Sequence, residues 1–200
     1  MNKLAILPLA LYEGHYDNNK SLDEFVKSIK TPITPSFLET LKYHEYPIST
    51  NFEVSDLPES FQKFLNDSIE EVLFFEKIKY EKFKIVSIWI NFHEKPYNKH
   101  KFHRHPNSIF SGVYYYETLD ADSIVFLKQN TEFTQYFAFE TSDNNPYGEL
   151  RHRKMVSVGD LLMFRSDLIH GVENFKKENN STRTSISFNT ETKNELEIMA

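Results

Sequence analysis

Near Phe83 the spacing of apolar residues changes from helical to strand-like, and that change restricts what the chain can fold into. From Ile85 to His93 one face carries Ile85, Ser87, Trp89, Asn91 and His93, and the other carries Val86, Ile88, Ile90 and Phe92. Ser111–Glu117, Ile124–Leu127, Leu161–Phe164 and Thr184–Phe188 are further short runs rich in β-branched and aromatic types. Short strands without helices between them predict an antiparallel sandwich or jelly roll. Residues 128–154 are the least regular stretch and are expected to form an excursion near one end of that barrel.

Upstream, the pattern is helical. Ser21-Leu22-Asp23-Glu24 reads as a capping box, followed by Leu22, Phe25, Val26 and Ile29 on one face. A longer helix follows Asp56, which is placed to cap it, with Glu59 reaching back. Its apolar positions are Phe61, Phe64, Leu65, Ile69, Val72 and Leu73. The expected organisation is one mainly β domain over 1–200, with a helical support region at 1–80 and a jelly-roll core at 81–200.

Composition removes several classes of function. With 5 glycines in 200 residues there is no glycine-rich phosphate loop. A net charge of −6 argues against a nucleic-acid partner. The absence of cysteine excludes disulfides, thiolate metal sites and a cysteine nucleophile, and fits a reducing, cytoplasmic setting. Leu4–Leu11, interrupted by Pro8, is too short to span a membrane and reads as a first strand.

Histidine is the informative residue. Of 8 in the chain, His93, His100, His103 and His105 fall close together. On a strand, His103 and His105 would project from one face and could grip a metal ion, since imidazole suits Fe, Zn, Cu and Ni. Taken alone, such a pair is more often a surface cluster or core packing. Far downstream, Gly159-Asp160-Leu161-Leu162-Met163-Phe164 reads as a turn into a buried strand, with His170-Gly171-Val172 just past its end. In Arg183-Thr184-Ser185-Ile186-Ser187-Phe188-Asn189, Arg183, Ser185, Ser187 and Asn189 share one face. A cationic, hydroxyl-rich face turned into a barrel is costly unless something polar binds there, and an arginine fork matches a carboxylate. A solvated edge strand is the alternative.

In this order the motifs resemble the Fe(II)/2-oxoglutarate-dependent oxygenases, and more narrowly a family of 2-oxoglutarate–Fe(II) oxygenases of marine bacteria and tailed phages. The residues that carry the resemblance are Trp89-Ile90-Asn91, His103-Arg104-His105-Pro106-Asn107-Ser108 with Ser111-Gly112-Val113-Tyr114-Tyr115, the Gly159–Val172 segment and Arg183–Asn189. The resemblance implies a cupin-like double-stranded β-helix with Fe(II) as cofactor and 2-oxoglutarate as co-substrate. It places His103 and His170 as iron ligands, and Arg183, Ser185 and Tyr115 on the distal carboxylate of 2-oxoglutarate. Asn91 and His93 fall where relatives place polar co-substrate contacts. Molecular oxygen and a small-molecule or peptidyl substrate are the implied partners, and a homodimer is compatible with the reading.

The second ligand position departs from the wider superfamily, which usually has Asp or Glu in a 2-His-1-carboxylate triad; here it holds His105. The reading therefore takes His103, His105 and His170 as the ligand set, with Asp120, Asp122 or Asp167 as the acidic substitutes. Two other functions stay open: a three-histidine cupin-type dioxygenase without a keto acid, and a jelly-roll binding module. His15, His44 and His100 are expected to be solvated, as is the charge run Arg151-His152-Arg153-Lys154. Phe133, Tyr136, Phe137 and Phe139 are expected to pack a strand. Tyr114 and Tyr116 should face away from Tyr115.

Overall fold

The structure, a computed structural model, describes residues 10–29, 48–78, 83–93, 100–127, 151–173 and 183–192. Ten strands and two α-helices are found among them: β1 (Leu11–His15), α1 (Lys20–Ile29), β2 (Ile48–Phe52), α2 (Glu59–Phe75), β3 (Phe83–His93), β4 (His100–His103), β5 (Phe110–Glu117), β6 (Ser123–Leu127), β7 (Arg151–Met155), β8 (Asp160–Arg165), β9 (Ile169–Val172) and β10 (Arg183–Thr192). A six-stranded antiparallel sheet runs β1-β8-β5-β10-β3-β2, and a four-stranded one runs β4-β9-β6-β7. From β3 onward the chain divides between the sheets as a jelly roll does: β3, β5, β8 and β10 in the large sheet, and β4, β6, β7 and β9 in the small one.

Both faces of the large sheet are covered, so its central strands are buried throughout and lose the half-polar alternation of a solvated sheet. In β8, Leu161 and Met163 join a core with the helical residues Leu22, Val26, Phe61, Leu65, Ile69 and Val72. Leu162 and Phe164 enter a second core with Tyr115, Ile124 and Phe126, between the two sheets. In β5, Tyr114 and Tyr116 face the helices while Tyr115 faces the small sheet, as the two-residue period requires.

Several boundaries depart from expectation. The cap of α1 is Asn19, whose Oδ1 accepts the Leu22 N–H at 3.0 Å, so the Ser21 box is not used. Asp56 caps a 3-10 turn at Val54–Asp56 by accepting the Glu53 N–H at 2.9 Å, and α2 begins after Pro58 without a side-chain cap. Of the expected excursion, 151–155 is strand β7, paired with β6 from Ser123↔Met155 to Leu127↔Arg151. Arg151, His152 and Arg153 are exposed as expected and Lys154 is half-buried; Arg151 and Arg153 pair with Glu173, and Lys154 with Glu13. The proposed strand at Leu4–Leu11, His44 and the aromatics 133–139 lie outside the described residues; β1 begins at Leu11. Among the described residues no helix is long and apolar enough to cross a membrane.

Gly112 is where β5 and β10 meet most closely. It stands opposite Phe188, and a Cβ there would fall 2.1 Å from the ring. Phe188 is fully buried, so a Cβ at position 112 would force its ring to shift. Gly112→Ala should therefore destabilise the protein by about 1–3 kcal/mol, read as a melting temperature lower by about 2–4 °C per kcal/mol. Adding Phe188→Leu should recover part of that loss. An unchanged melting temperature for Gly112→Ala would contradict the packing.

Candidate active site

The small sheet brings the histidines together. In its register His103, the last residue of β4, stands directly opposite His170 in β9. His105 lies beyond the end of β4, where its N–H donates to the Ser166 carbonyl at 2.9 Å. His103 and His105 thus reach one point from a strand end and the turn after it, and do not share a strand face as the His-x-His spacing suggested. One ligand atom from each of His103, His105 and His170 lies within 4.8 Å of the others.

Two of these rings are oriented by backbone carbonyls. His103 Nδ1 donates to the Lys101 carbonyl at 2.7 Å, and His170 Nδ1 to the Leu168 carbonyl at 2.9 Å. A carbonyl only accepts, so the proton sits on Nδ1 and the Nε2 lone pair is left for a metal. His105 Nε2 is 3.3 Å from His170 Nε2, and its Nδ1 is 3.5 Å from the Asn189 carboxamide. Two nitrogens bound side by side at roughly 2.1 Å from one metal stand about 3 Å apart, so this pair is spaced for a shared cation. The donor set fits a divalent transition metal such as Fe(II).

Across the cavity, the large sheet supplies polar groups by register. Ser185 in β10 lies between Asn91 in β3 and Tyr115 in β5, and Arg183 lies opposite His93. Ser49 donates to Asn91 Oδ1 at 2.6 Å, while Asn91 Nδ2 donates to Ser187 Oγ at 3.1 Å. Arg183 is 2% exposed, and its Nε donates to both carboxylate oxygens of Asp122 at 3.0 and 2.8 Å. Its guanidinium carbon is 5.2 Å from the centre of the Tyr115 ring, and one terminal nitrogen is 3.5 Å from His93 Nδ1. The buried Tyr115 hydroxyl has no well-formed hydrogen bond among the described residues. Burial raises its pKa, and the neighbouring Arg183 charge partly opposes that.

A pocket opens between these groups. The three histidines, Trp89, Asn91, Tyr115, Arg183, Ser185 and Ser187 line it. His100, expected in solvent, also lines it, stacked on His103 at 4.5 Å between ring centres. His93 is fully buried against Arg183 and is absent from the described lining. His15 is exposed, as expected.

A family profile described as "Putative 2OG-Fe(II) oxygenase" matches residues 87–189, over half of the chain. The chain belongs to this family. It is an oxidoreductase, with Fe(II) and 2-oxoglutarate as cofactor and co-substrate and oxygen as oxidant. No curated protein matches the sequence. Among solved structures, AviO1 from Streptomyces viridochromogenes is 12% identical with a TM-score of 0.55, over 92% of this chain and 90% of that one. HygX from Streptomyces hygroscopicus, with nickel and 2-oxoglutarate bound, is 11% identical with a TM-score of 0.54, over 92% and 83%. The viral collagen prolyl hydroxylase of Paramecium Bursaria Chlorella virus-1, in complex with 2-oxoglutarate, is 9% identical with a TM-score of 0.52, over 90% and 94%. At these identities the likeness shows the fold, a jelly roll shared with oxygenases.

For a 2-oxoglutarate oxygenase, the acids weighed as third ligands are unsuitably placed. Asp120 is exposed, Asp167 is exposed and paired with Arg165 at 3.2 Å, and Asp122 is committed to Arg183. Among the described residues no carboxylate joins the histidine cluster. What sequence reasoning missed is the pairing of Asp122 with Arg183. Nothing in local spacing links positions 122 and 183; only the closed barrel brings them together. Trp89, by contrast, could have been read as a wall residue, because it shares a strand face with Asn91.

Burial favours the neutral form of His100, His105 and His170. It pushes His170 down to about 3 and both His100 and His105 down to about 4, with the neighbouring His103 adding to each shift. In the unfolded chain they take protons near pH 6.5. Below that pH the unfolded state binds protons that the fold refuses, so stability is full above about pH 6.5 and falls as the pH drops towards 4. The urea midpoint of metal-free protein should fall between pH 7.5 and pH 5, and His170→Asn should flatten that dependence. A pH-independent midpoint would mean that the histidines are not buried as neutral groups.

Proposed function

We propose that the protein is a hydroxylase of a small-molecule or peptidyl substrate that couples oxidation to decarboxylation of 2-oxoglutarate, yielding succinate. The observation that carries this reading is the pairing of a three-imidazole cluster on one sheet with a buried arginine on the other, across one pocket. His103, His105 and His170 would hold iron through Nε2. Bound iron with 2-oxoglutarate supplies the activation of oxygen.

The chain's own residues bind, orient and exclude water. Asp122 grips Arg183 by Nε, and the terminal nitrogens, one of them 3.5 Å from His93 Nδ1, would form a fork for the distal carboxylate. Tyr115 Oη and Ser185 Oγ stand beside that fork as further donors, and a carboxylate would give the buried Tyr115 hydroxyl the acceptor it lacks. Asn91 is held by Ser49 and Ser187, and His93 acts through Arg183. Val113, Ile124 and Phe188 make the remaining wall apolar, which strengthens these polar contacts by excluding solvent.

One measurement separates this reading from a three-histidine dioxygenase that uses no keto acid. 2-Oxoglutarate should raise the melting temperature of protein loaded with Mn(II), and should do so far less in the presence of a chelator, because its chelating end needs the metal. A shift of equal size with chelator present would place the keto acid elsewhere, and no shift with the metal present would favour the keto-acid-free chemistry.

Two sets of substitutions test the residue roles. Arg183→Lys keeps a cation for Asp122 but loses the fork, and should weaken 2-oxoglutarate about ten- to a hundredfold while sparing the metal. Isothermal titration of the Mn(II) protein checks it, and unchanged affinity would move the carboxylate site. His103→Ala, His105→Ala and His170→Ala should each weaken the metal, measured by titration with Mn(II). If His105→Ala binds Mn(II) as tightly as the native protein, His105 is not a ligand.

A further inference from the structure

The pocket contains an imbalance of charge that its lining does not resolve. Among the described lining residues Arg183 is the one side chain with a fixed charge, and none of them is a carboxylate. Asp122 meets Arg183 from outside that lining, with its own side chain 0% exposed. Glu117 is engaged elsewhere, accepting from the Thr184 hydroxyl at 2.7 Å. A buried carboxylate is costly unless paired, and an arginine meant for an incoming anion needs no permanent anion of its own.

Resting on the functional reading above, we infer that Asp122 supplies, behind Arg183, the negative charge that the commoner triad places on the iron itself. In that triad a divalent metal, its carboxylate, an arginine and a dianionic keto acid sum to zero. Here three neutral imidazoles contribute nothing, so metal, arginine and keto acid would leave one positive charge uncompensated. The Asp122 carboxylate cancels it. Its placement also explains why both of its oxygens meet Nε: the counter-charge is delivered without occupying the terminal nitrogens. The site thus exchanges a carboxylate ligand for a histidine and keeps its total charge by moving the acid off the metal to the far side of Arg183.

The inference predicts opposite responses from two single variants. His105→Asp restores a carboxylate at the metal while Asp122 remains, giving one negative charge too many. With Mn(II) saturating, it should bind 2-oxoglutarate about tenfold more weakly than the native protein. Asp122→Asn keeps an acceptor for Arg183 Nε but removes the charge, so it should bind 2-oxoglutarate at least as tightly as the native protein. The double variant His105→Asp, Asp122→Asn should return to within about twofold of native affinity. Calorimetric titration of the Mn(II)-loaded proteins reads all four affinities without turnover. If Asp122→Asn fails to fold, His105→Asp alone decides. The inference is overturned if His105→Asp binds 2-oxoglutarate as tightly as the native protein, or if Asp122→Asn weakens binding as Arg183→Lys does, which would make Asp122 only a positioning residue for the fork. Native Mn(II) protein that takes up no 2-oxoglutarate would instead overturn the functional reading on which the inference rests.

Discussion

The ion pair between Arg183 and Asp122 is the interaction on which the architecture of the site depends. Both side chains are removed from water, and either one left alone would carry an unanswered charge in a low-dielectric interior. The pair joins the start of β10 to the turn before β6, so it ties the large sheet to the small one near the pocket. Burial pushes the Asp122 carboxyl above the usual carboxylate range while Arg183 pulls it back. The hydrogen bonds from Nε to both Asp122 oxygens hold the guanidinium in one orientation.

The two sheets divide the chemistry between them. The small sheet holds the metal-binding types: the His103↔His170 register and two backbone carbonyls fix both rings and their tautomers before any metal arrives. The large sheet holds the anion-binding types, because the Asn91, Ser185 and Tyr115 positions fall side by side across β3, β10 and β5. Neither sheet could perform the oxygenase reaction alone. The apolar cluster of Tyr115, Ile124, Phe126, Leu162 and Phe164 packs between them, so the same packing that stabilises the barrel also spaces the histidine cluster from Arg183.

Legibility in the sequence followed the range of the interaction that fixed each feature. The helical faces of α1 and α2 and the inward and outward faces of β3, β5 and β10 could be read from spacing, because local backbone geometry alone determines them. Caps were less legible: Asn19 prevailed over Ser21, and Pro58 followed a turn already capped by Asp56. Within the expected helical region β2 was missed, and in the small sheet β4, β7 and β9 were missed. The latter three are four or five residues long and carry histidine, lysine and arginine, so their pairing in the small sheet, and not their propensity, makes them strands.

By itself, the sequence determined which residues could do chemistry: four motifs in order, a histidine at the second ligand position, and an alternating polar face on the last strand. These follow from residue type and a two-residue period, which no tertiary contact alters. Only the tertiary structure decided which of eight histidines converge, that His105 arrives from a turn and not a strand face, and that His100 stacks beside the cluster. It also decided that Asp122 belongs to Arg183. A carboxylate carries no local mark of its partner. Its role emerges when barrel closure removes water from both charges and leaves each as the other's counter-ion.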